Sequence, residues 1–475
     1  MNFSLVFVHS TWVSVALAVA LPSGIAPTLA DAATPLKPQN SPSSVQVPDY
    51  LNPNPNPLQF PTKPEEVKIQ KTVPISLAQA LELVQRNNHD LQVAILQLER
   101  SRSALRESQA ALFPTVGINS SVTNSGNGFS SSQSQSSSSF NGSAQLNYNL
   151  YTSGNRQAAI QAAEEQLRVD EFNVETQSLT IRLNAITQYY NLQQADQQVR
   201  INQSAVNNAQ ASLRDTQARL DAGVGTQFDV LQAQVNLANA QQLLTNAISQ
   251  QQIARRQLAT LLSLSQSVDI TAADPVQLAG LWQPTLEETI IQAFKNRPEL
   301  PQYLAQRNIA EQQRRQALSQ LGPQVSLVGN YNLLDRYNDG ISVTDGYSVG
   351  IQGSLTLFDG GAARARAAQS KANIAIAENQ FASQRDQIRF NVEQYYSQLQ
   401  SNLNNVQTSS VALNQAREAL DLARLRFQAG VGTQTEVIAA ESDLTTAEGN
   451  RVTAILNYNI ALANLQISVT YRASR

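Results

Sequence analysis

Apolar positions recur every third and fourth residue over two long stretches of this chain, and every second residue over shorter ones. The first long stretch runs from Asn155 to Ala222 and the second from Ala362 to Ala429. In the first, Leu192, Ala195, Val199, Asn202, Val206, Ala209, Leu213, Thr216 and Leu220 keep a strict 3-4 spacing. In the second, Leu399, Asn402, Val406, Ser409, Leu413, Ala416, Leu420, Ala423 and Phe427 do the same. A seven-residue repeat of this kind makes helices supercoil. Large and small residues alternate along the stripe, so facing helices can interdigitate. At 1.5 Å per residue, helices over 155–222 and 362–429 would each extend about 100 Å. Return helices over 226–262 and 433–468 carry the same spacing, starting from Val230 and Ala233 and from Val437 and Ala440. The pattern predicts a mainly α chain built on two long antiparallel helical hairpins.

The period-two segments predict a small β part. Ala144, Leu146, Tyr148 and Leu150 alternate with small polar residues, and so do Tyr347, Val349, Ile351, Leu355 and Leu357. Strands are expected at about 115–123, 143–151, 324–333 and 347–357, each with one apolar and one small polar face. In a transmembrane barrel these faces would meet lipid and a wet lumen. The same alternation also describes a half-buried soluble hairpin. Short helices precede each strand pair, at 76–87 and 89–112 and at 285–296 and 298–321. Pro114 and Pro323 end them.

The chain repeats itself. Leu112-Phe113-Pro114 returns as Leu321-Gly322-Pro323, 209 positions on, and Ala222-Gly223-Val224-Gly225-Thr226-Gln227 returns as Ala429-Gly430-Val431-Gly432-Thr433-Gln434, 207 on. This divides the chain into a first repeat at 75–270 and a second at 271–475. The Ala-Gly-Val-Gly-Thr turns join the hairpin helices. Gly223 and Gly430 suit the left-handed residue that ends a helix. Thr226 with Asp229, and Thr433 with Glu436, read as capping boxes that start the next one. Each return helix plus the short helix of its repeat is nearly as long as the long helix. Two short helices can therefore stack end to end beside one long one.

Composition narrows the function. The net charge is -3 with 15% charged residues, which is no footprint for nucleic acid. There is no Cys, and the two His, His9 and His89, fall in unrelated segments. No metal site, cofactor site or catalytic triad is expected, and no enzyme. Tyr189, Tyr190, Tyr395 and Tyr396 read as packing residues; Glu441 and Asp443, beside Thr445, read as a solvated helix face. The apolar run Trp12–Leu21, followed by Ala30-Asp31-Ala32, reads as a signal peptide over 1–32, although no Lys or Arg precedes it. Residues 33–74 read as a Pro-rich extended linker. No later segment approaches the apolarity of a membrane helix, so a membrane would have to be spanned by strands. Four strands do not close a barrel; three chains would supply twelve.

Taken together, these features resemble the TolC family of outer-membrane efflux proteins. The resemblance covers about 75 to 470. It rests on the paired repeat, on Leu112-Phe113-Pro114, on Leu357-Phe358-Asp359-Gly360-Gly361, and on the tip motif at Arg219 to Ala233 and Arg426 to Ala440. It implies a homotrimer with a transmembrane β-barrel in outer-membrane lipid, four strands per chain, and an α-barrel in the periplasm. It implies a passive exit duct for tripartite efflux or type I secretion, docked to a periplasmic adaptor and through it to an inner-membrane transporter. Gly223, Val224, Gly225, Thr226, Gly430, Val431, Gly432 and Thr433 then match the adaptor-contacting turns, and Asp229 and Glu436 match a pore constriction. A latch of the closed tip would pair Asp229 with a Tyr and an Arg, but these positions hold Phe427 and Gly432. The tip is therefore expected to be leakier, or closed by packing. The alternative is an envelope coiled-coil structural protein or adhesin without a channel. It would explain the heptads and the Ser-rich loop 130–139, but not strands that occur twice at one place.

Overall fold

The structure, a computed structural model, describes residues 51, 56, 58–126, 136–337 and 342–470. The signal expected at 1–32 and the beginning of the Pro-rich segment lie outside them. Ahead of the first repeat come α1 (Pro64–Val67) and β1 (Lys71–Ile75), and the repeat itself brings α2 (Leu77–Asn87), α3 (His89–Ala110), β2 (Thr115–Gly126), β3 (Ser136–Tyr151), α4 (Asn155–Asp221), α5 (Gln227–Leu261) and β4 (Val268–Ala272). The second holds α6 (Leu286–Asn296), α7 (Glu299–Ser319), β5 (Gln324–Tyr337), β6 (Thr344–Ser354), α8 (Ala362–Gln428) and α9 (Gln434–Val469).

Helices α4 and α8 have 67 residues each and set the frame. Near the glycine turns the helices lie side by side in the order α5, α4, α9, α8; near the strands the order is α3, α4, α7, α8. The end of α5 meets the start of α3, where Asn88 Nδ2 donates to the Leu261 carbonyl at 3.0 Å. The end of α9 meets the second short-helix pair in the same way, where Asn296 Nδ2 donates to the Val469 carbonyl at 2.8 Å. Strands β2, β3, β5 and β6 form one antiparallel sheet in that order. The chain is thus a wall. One side ends in β2, α3 and α5, the other in β6 and α8.

Two main clusters form the core at the level of the helix junctions, and the first also takes in Val452, Leu456 and Ile467 of α9. Ile75, Leu83, Tyr189, Leu192, Leu258 and Ile270 centre the first cluster; Ile388, Val392, Tyr458, Leu462 and Leu465 centre the second, with Tyr395 and Tyr396 packed against it. Tyr189 is completely buried. It donates its hydroxyl proton to Asp274 Oδ2 at 2.7 Å, and the same Oδ2 accepts from Leu77 N–H at 2.7 Å. Burial, reinforced by Asp274, pushes the phenol pKa well up, so Tyr189 stays a donor at any physiological pH.

Several sequence expectations need correction. Strands β1 and β4 form a two-stranded parallel pair that was not anticipated. The boundaries drawn at 74/75 and 270/271 each cut through one of these strands. They are five residues long, β1 contains Pro74, and their pairing is distant in sequence, so neither alternation nor a hairpin turn announces them. The linker ends earlier than drawn, because α1 and most of β1 fall inside 33–74. Strand β3 begins at Ser136, inside the expected Ser-rich loop, and β2 and β5 run on to Gly126 and Tyr337. Serine and asparagine there hide strand from a propensity reading, but pairing with β2, and from Ser138 onward also with β5, holds β3 in place. Strand β6 ends at Ser354, so Leu355 and Leu357 are not in strand. One later helix, α9, does contain a window apolar enough to cross a membrane; two thirds of it is buried within the protein. Residues 452–469 carry no charge because α4 and α8 flank them, not because lipid does.

Candidate membrane sheet and tunnel tip

The register of the four-stranded sheet sorts its side chains. Val116, Leu146, Gly329 and Val349 form one row across the strands; Ile118, Ala144, Tyr331 and Tyr347 form the next. Gly117, Gln145, Asn330 and Ser348 form the row between them, on the opposite face. One face is therefore apolar and the other amide- and hydroxyl-rich. Among the described residues, nothing covers the outer strands' apolar side chains: Val349 is 73% exposed, Ile351 72% and Ile118 82%. A water-facing sheet of this pattern would hold these residues against a core. Among the described residues, strands β2 and β6 each have one edge without a strand partner.

At the start of each long helix the chain turns through left-handed residues, Ser153 and Gly154 in one repeat and Gly360 and Gly361 in the other. Asp359 caps α8 by accepting from Ala363 N–H at 2.6 Å and Gly361 N–H at 2.9 Å, and these donors lower its pKa.

At the opposite end, the two glycines of each turn have different tasks. Gly223 and Gly430 take φ of 72° and 77°. Around them Val224 N–H donates to the Arg219 carbonyl and Gly223 N–H to Leu220, with Val431 to Arg426 and Gly430 to Phe427 in the second turn. These are Schellman closures. Gly225 and Gly432 need no unusual φ, but a Cβ on Gly225 would lie 2.9 Å from Leu220 N and one on Gly432 3.0 Å from Phe427 N. Replacing Gly430 by Ala is expected to lower the thermal stability of the tip by about 1 kcal/mol, through the left-handed strain alone. Hydrogen exchange of the amides at 424–436 would read this.

The two turns differ at their helix starts. Thr226 and Asp229 form a full capping box. At the second, Thr433 Oγ1 accepts from Glu436 N–H at 3.3 Å, but the Glu436 carboxylate does not return to the cap; it pairs with Arg426 at 3.7 Å. The expected second capping box is thus only half formed. The longer Glu side chain reaches a cation on α8 instead. Asp229 is engaged with Thr226, whose hydroxyl donates to its carboxylate at 2.6 Å. The tips are joined by residues that the sequence reading did not single out. Arg219 stacks its guanidinium 4.6 Å from the centre of the Phe427 ring and donates to the Phe427 carbonyl at 3.0 Å. Gln434, 1% exposed, donates to Ser212 Oγ at 2.6 Å. Arg219 stood inside the tip motif, and Gln434 follows Thr433 directly; neither has a local signal, because both partners are more than 200 residues away.

Glu441 also departs from expectation. It is buried rather than solvated, with Arg424 Nη2 donating to its carboxylate at 3.1 Å. Asp443 is exposed. Glu441 lines a cavity of about 230 Å³ with Asn208, Ser212, Asp215, Arg424 and Phe427. Burial raises its pKa, against the opposing pull of Arg424 and Asn236. A carboxyl with a raised folded pKa binds its proton more tightly in the folded state. Stability from this group is therefore fully present below the ordinary glutamate range and is lost as pH rises from there through the raised folded pKa. Hydrogen-exchange protection of α9 should fall across that interval, and Glu441→Gln should flatten the dependence.

A wall segment with an uncovered apolar sheet at one end and a helical tip at the other defines a class, the outer-membrane channel subunit. Comparison with known proteins agrees. The family described as outer membrane efflux protein matches residues 80–263 and 289–469. The chain belongs to this family. It is 22% identical over 412 residues to outer membrane protein TolC of Escherichia coli, covering 82% of this chain and 81% of that one. It is 27% identical over 426 residues to the pyoverdine export outer membrane protein OpmQ of Pseudomonas putida, covering 84% and 85%. Among solved structures, CusC superposes with a TM-score of 0.73 at 17% identity, covering 90% of this chain and 99% of that one. The open state of the Neisseria gonorrhoeae MtrE outer membrane channel gives 0.71 at 19%, covering 90% and 98%. The protein is an efflux exit duct of the outer membrane, and its relatives are channel proteins.

Proposed function

We propose that three copies close into one tube, with a twelve-stranded barrel in the outer membrane and a helical tunnel below it in the periplasm. The observation that carries this reading is a sheet whose apolar face is uncovered and whose two edges are unpaired among the described residues. Open edges are not viable in hydrocarbon, whereas a closed barrel has none. The two sides of the wall are different surfaces, so copies join head to tail, and such contacts close when the rotation allows a ring.

In this reading the barrel lumen is lined by the Gln145, Asn330 and Ser348 face. The turns at Gly223–Thr226 and Gly430–Thr433 meet the helical hairpin of a periplasmic adaptor, which links the duct to an inner-membrane transporter. The duct itself consumes no energy. Three Glu436 carboxylates near the axis favour cations, with Arg426 tempering their charge; Asp229 serves the cap rather than a latch. Arg219 on Phe427 replaces the missing latch as the contact between the tips. In planar bilayers the channel should be cation-selective, and Glu436→Gln should reduce that selectivity severalfold. An anion-selective pore, or no conductance at all, would overturn the assignment.

A further inference from the structure

The two ends of the helical wall carry opposite charge. The twelve residues of α3, α4, α7 and α8 nearest the strands (99–110, 155–166, 308–319 and 362–373) hold nine Arg and Lys against five Asp and Glu. The twelve residues of α4, α5, α8 and α9 nearest the glycine turns (210–221, 227–238, 417–428 and 434–445) hold five against eight. The strand end therefore has an excess of +4 per chain in a protein whose net charge is -3.

Part of this charge is spent on the protein itself. Arg156 donates to the Asn149 carbonyl at 2.7 Å, and Arg366 to Gln320 Oε1 at 2.5 Å. Three exposed arginines are left over, one on each of α3, α7 and α8. Arg106 donates to Ser103 Oγ at 3.3 Å and meets no carboxylate among the described residues. Arg315 shares the Glu311 carboxylate with Arg314, each at 3.5 Å. Arg364 makes neither a hydrogen bond nor an ion pair among the described residues. The apolar residues above them are uncovered too. Phe113, Tyr151, Leu357 and Phe358 are all exposed where the helices meet the strands. Aromatic side chains at such a place mark the edge of hydrocarbon.

We propose that this basic collar binds the anionic phospholipid headgroups of the leaflet that faces the periplasm. The proposal rests on the reading that the sheet spans the bilayer, and adds the lipid that its foot selects. Depth agrees. Arg106 lies seven residues before Phe113 and Arg364 six after Phe358, which is about 10 Å at 1.5 Å per residue. The headgroup layer reaches about 5–8 Å beyond the hydrocarbon, and the long arginine stem spans the rest. The medium agrees as well. Arg315 stands one turn below exposed Leu318 on the same face of α7. Water in a tunnel suits the arginine alone, whereas a membrane interface suits both. The phosphate oxygens of phosphatidylglycerol or cardiolipin accept the forked guanidinium donors. Each arginine at an anionic surface strengthens the contact about fivefold.

The full-length channel would be reconstituted in phosphatidylcholine vesicles holding a small fraction of spin-labelled phosphatidylglycerol or spin-labelled phosphatidylcholine. Electron paramagnetic resonance then reads the fraction of each label immobilised at the protein. The wild type should hold phosphatidylglycerol in preference, and the preference should fade in about 1 M salt, where the Debye length is about 3 Å. Arg106→Gln, Arg315→Gln and Arg364→Gln combined should bring the two labels to equal immobilisation. The same three positions changed to Lys should keep most of the preference, and Arg214→Gln, exposed near the tip, should leave it unchanged. An inserted wild type without preference, or a triple Gln variant that retains it, would overturn the collar. So would a triple Gln variant whose lipid preference stands while its pore becomes more cation-selective, since the arginines would then face the lumen. A wild type that fails to enter the vesicles would instead sink the membrane reading of the sheet, and the collar with it.

Discussion

Val349→Arg is expected to remove the protein from the outer membrane, while Ser348→Arg, one residue away, leaves it there. Val349 lies at the middle of β6 on the apolar face, in one row with Val116 and Leu146. A cation at the bilayer midplane costs about 2–4 kcal/mol for each chain, and a ring carries it three times. Ser348 pairs with Asn330 and then Gln145 on the other face, where water solvates the new charge. Membrane fractionation with heat-modifiable mobility would read both variants. Equal tolerance of the two would mean that the apolar face meets no hydrocarbon.

Tyr189→Ala should be the most damaging change in the helical part. The side chain is completely buried at the centre of the first core and carries hydrogen bonds to Asp274. Removing the ring leaves a cavity and costs about 3–5 kcal/mol. Tyr189→Phe keeps the ring but leaves Asp274 Oδ2 with the Leu77 N–H alone, at about 1–3 kcal/mol. Thermal unfolding in detergent should rank wild type above Tyr189→Phe and that above Tyr189→Ala. The same ranking of outer-membrane abundance would show that this junction, rather than the barrel, limits assembly.

What was legible in the sequence was what is local or periodic. The heptads of α4 and α8 fix two long helices within one residue of their observed ends. The alternation around Leu146 and Val349 located the sheet, and the glycine turns located the tips. Strand β1 was hidden because its partner β4 lies nearly 200 residues away. Glu441 looked solvated because its neighbours along the chain are polar; its burial comes from α4 and α8 packing over it. The tip residues Arg219 and Gln434 act across the seam between repeats, which no single window contains. Glu436 was placed at the cap by its spacing from Thr433, but Arg426 competes for its carboxylate. Local pattern gave the elements and their order. Contacts between repeats, which govern how the tips are held, join residues too far apart along the chain for any local pattern to show them.

An outer-membrane duct requires that the open wall close with copies of itself. Native mass measurement of the full-length protein, extracted in mild detergent, tests this most directly. The expected result is a single species of three chains that persists while detergent is present. A stable, folded monomer that keeps its sheet, or a protein that stays in solution without amphiphile, would contradict it.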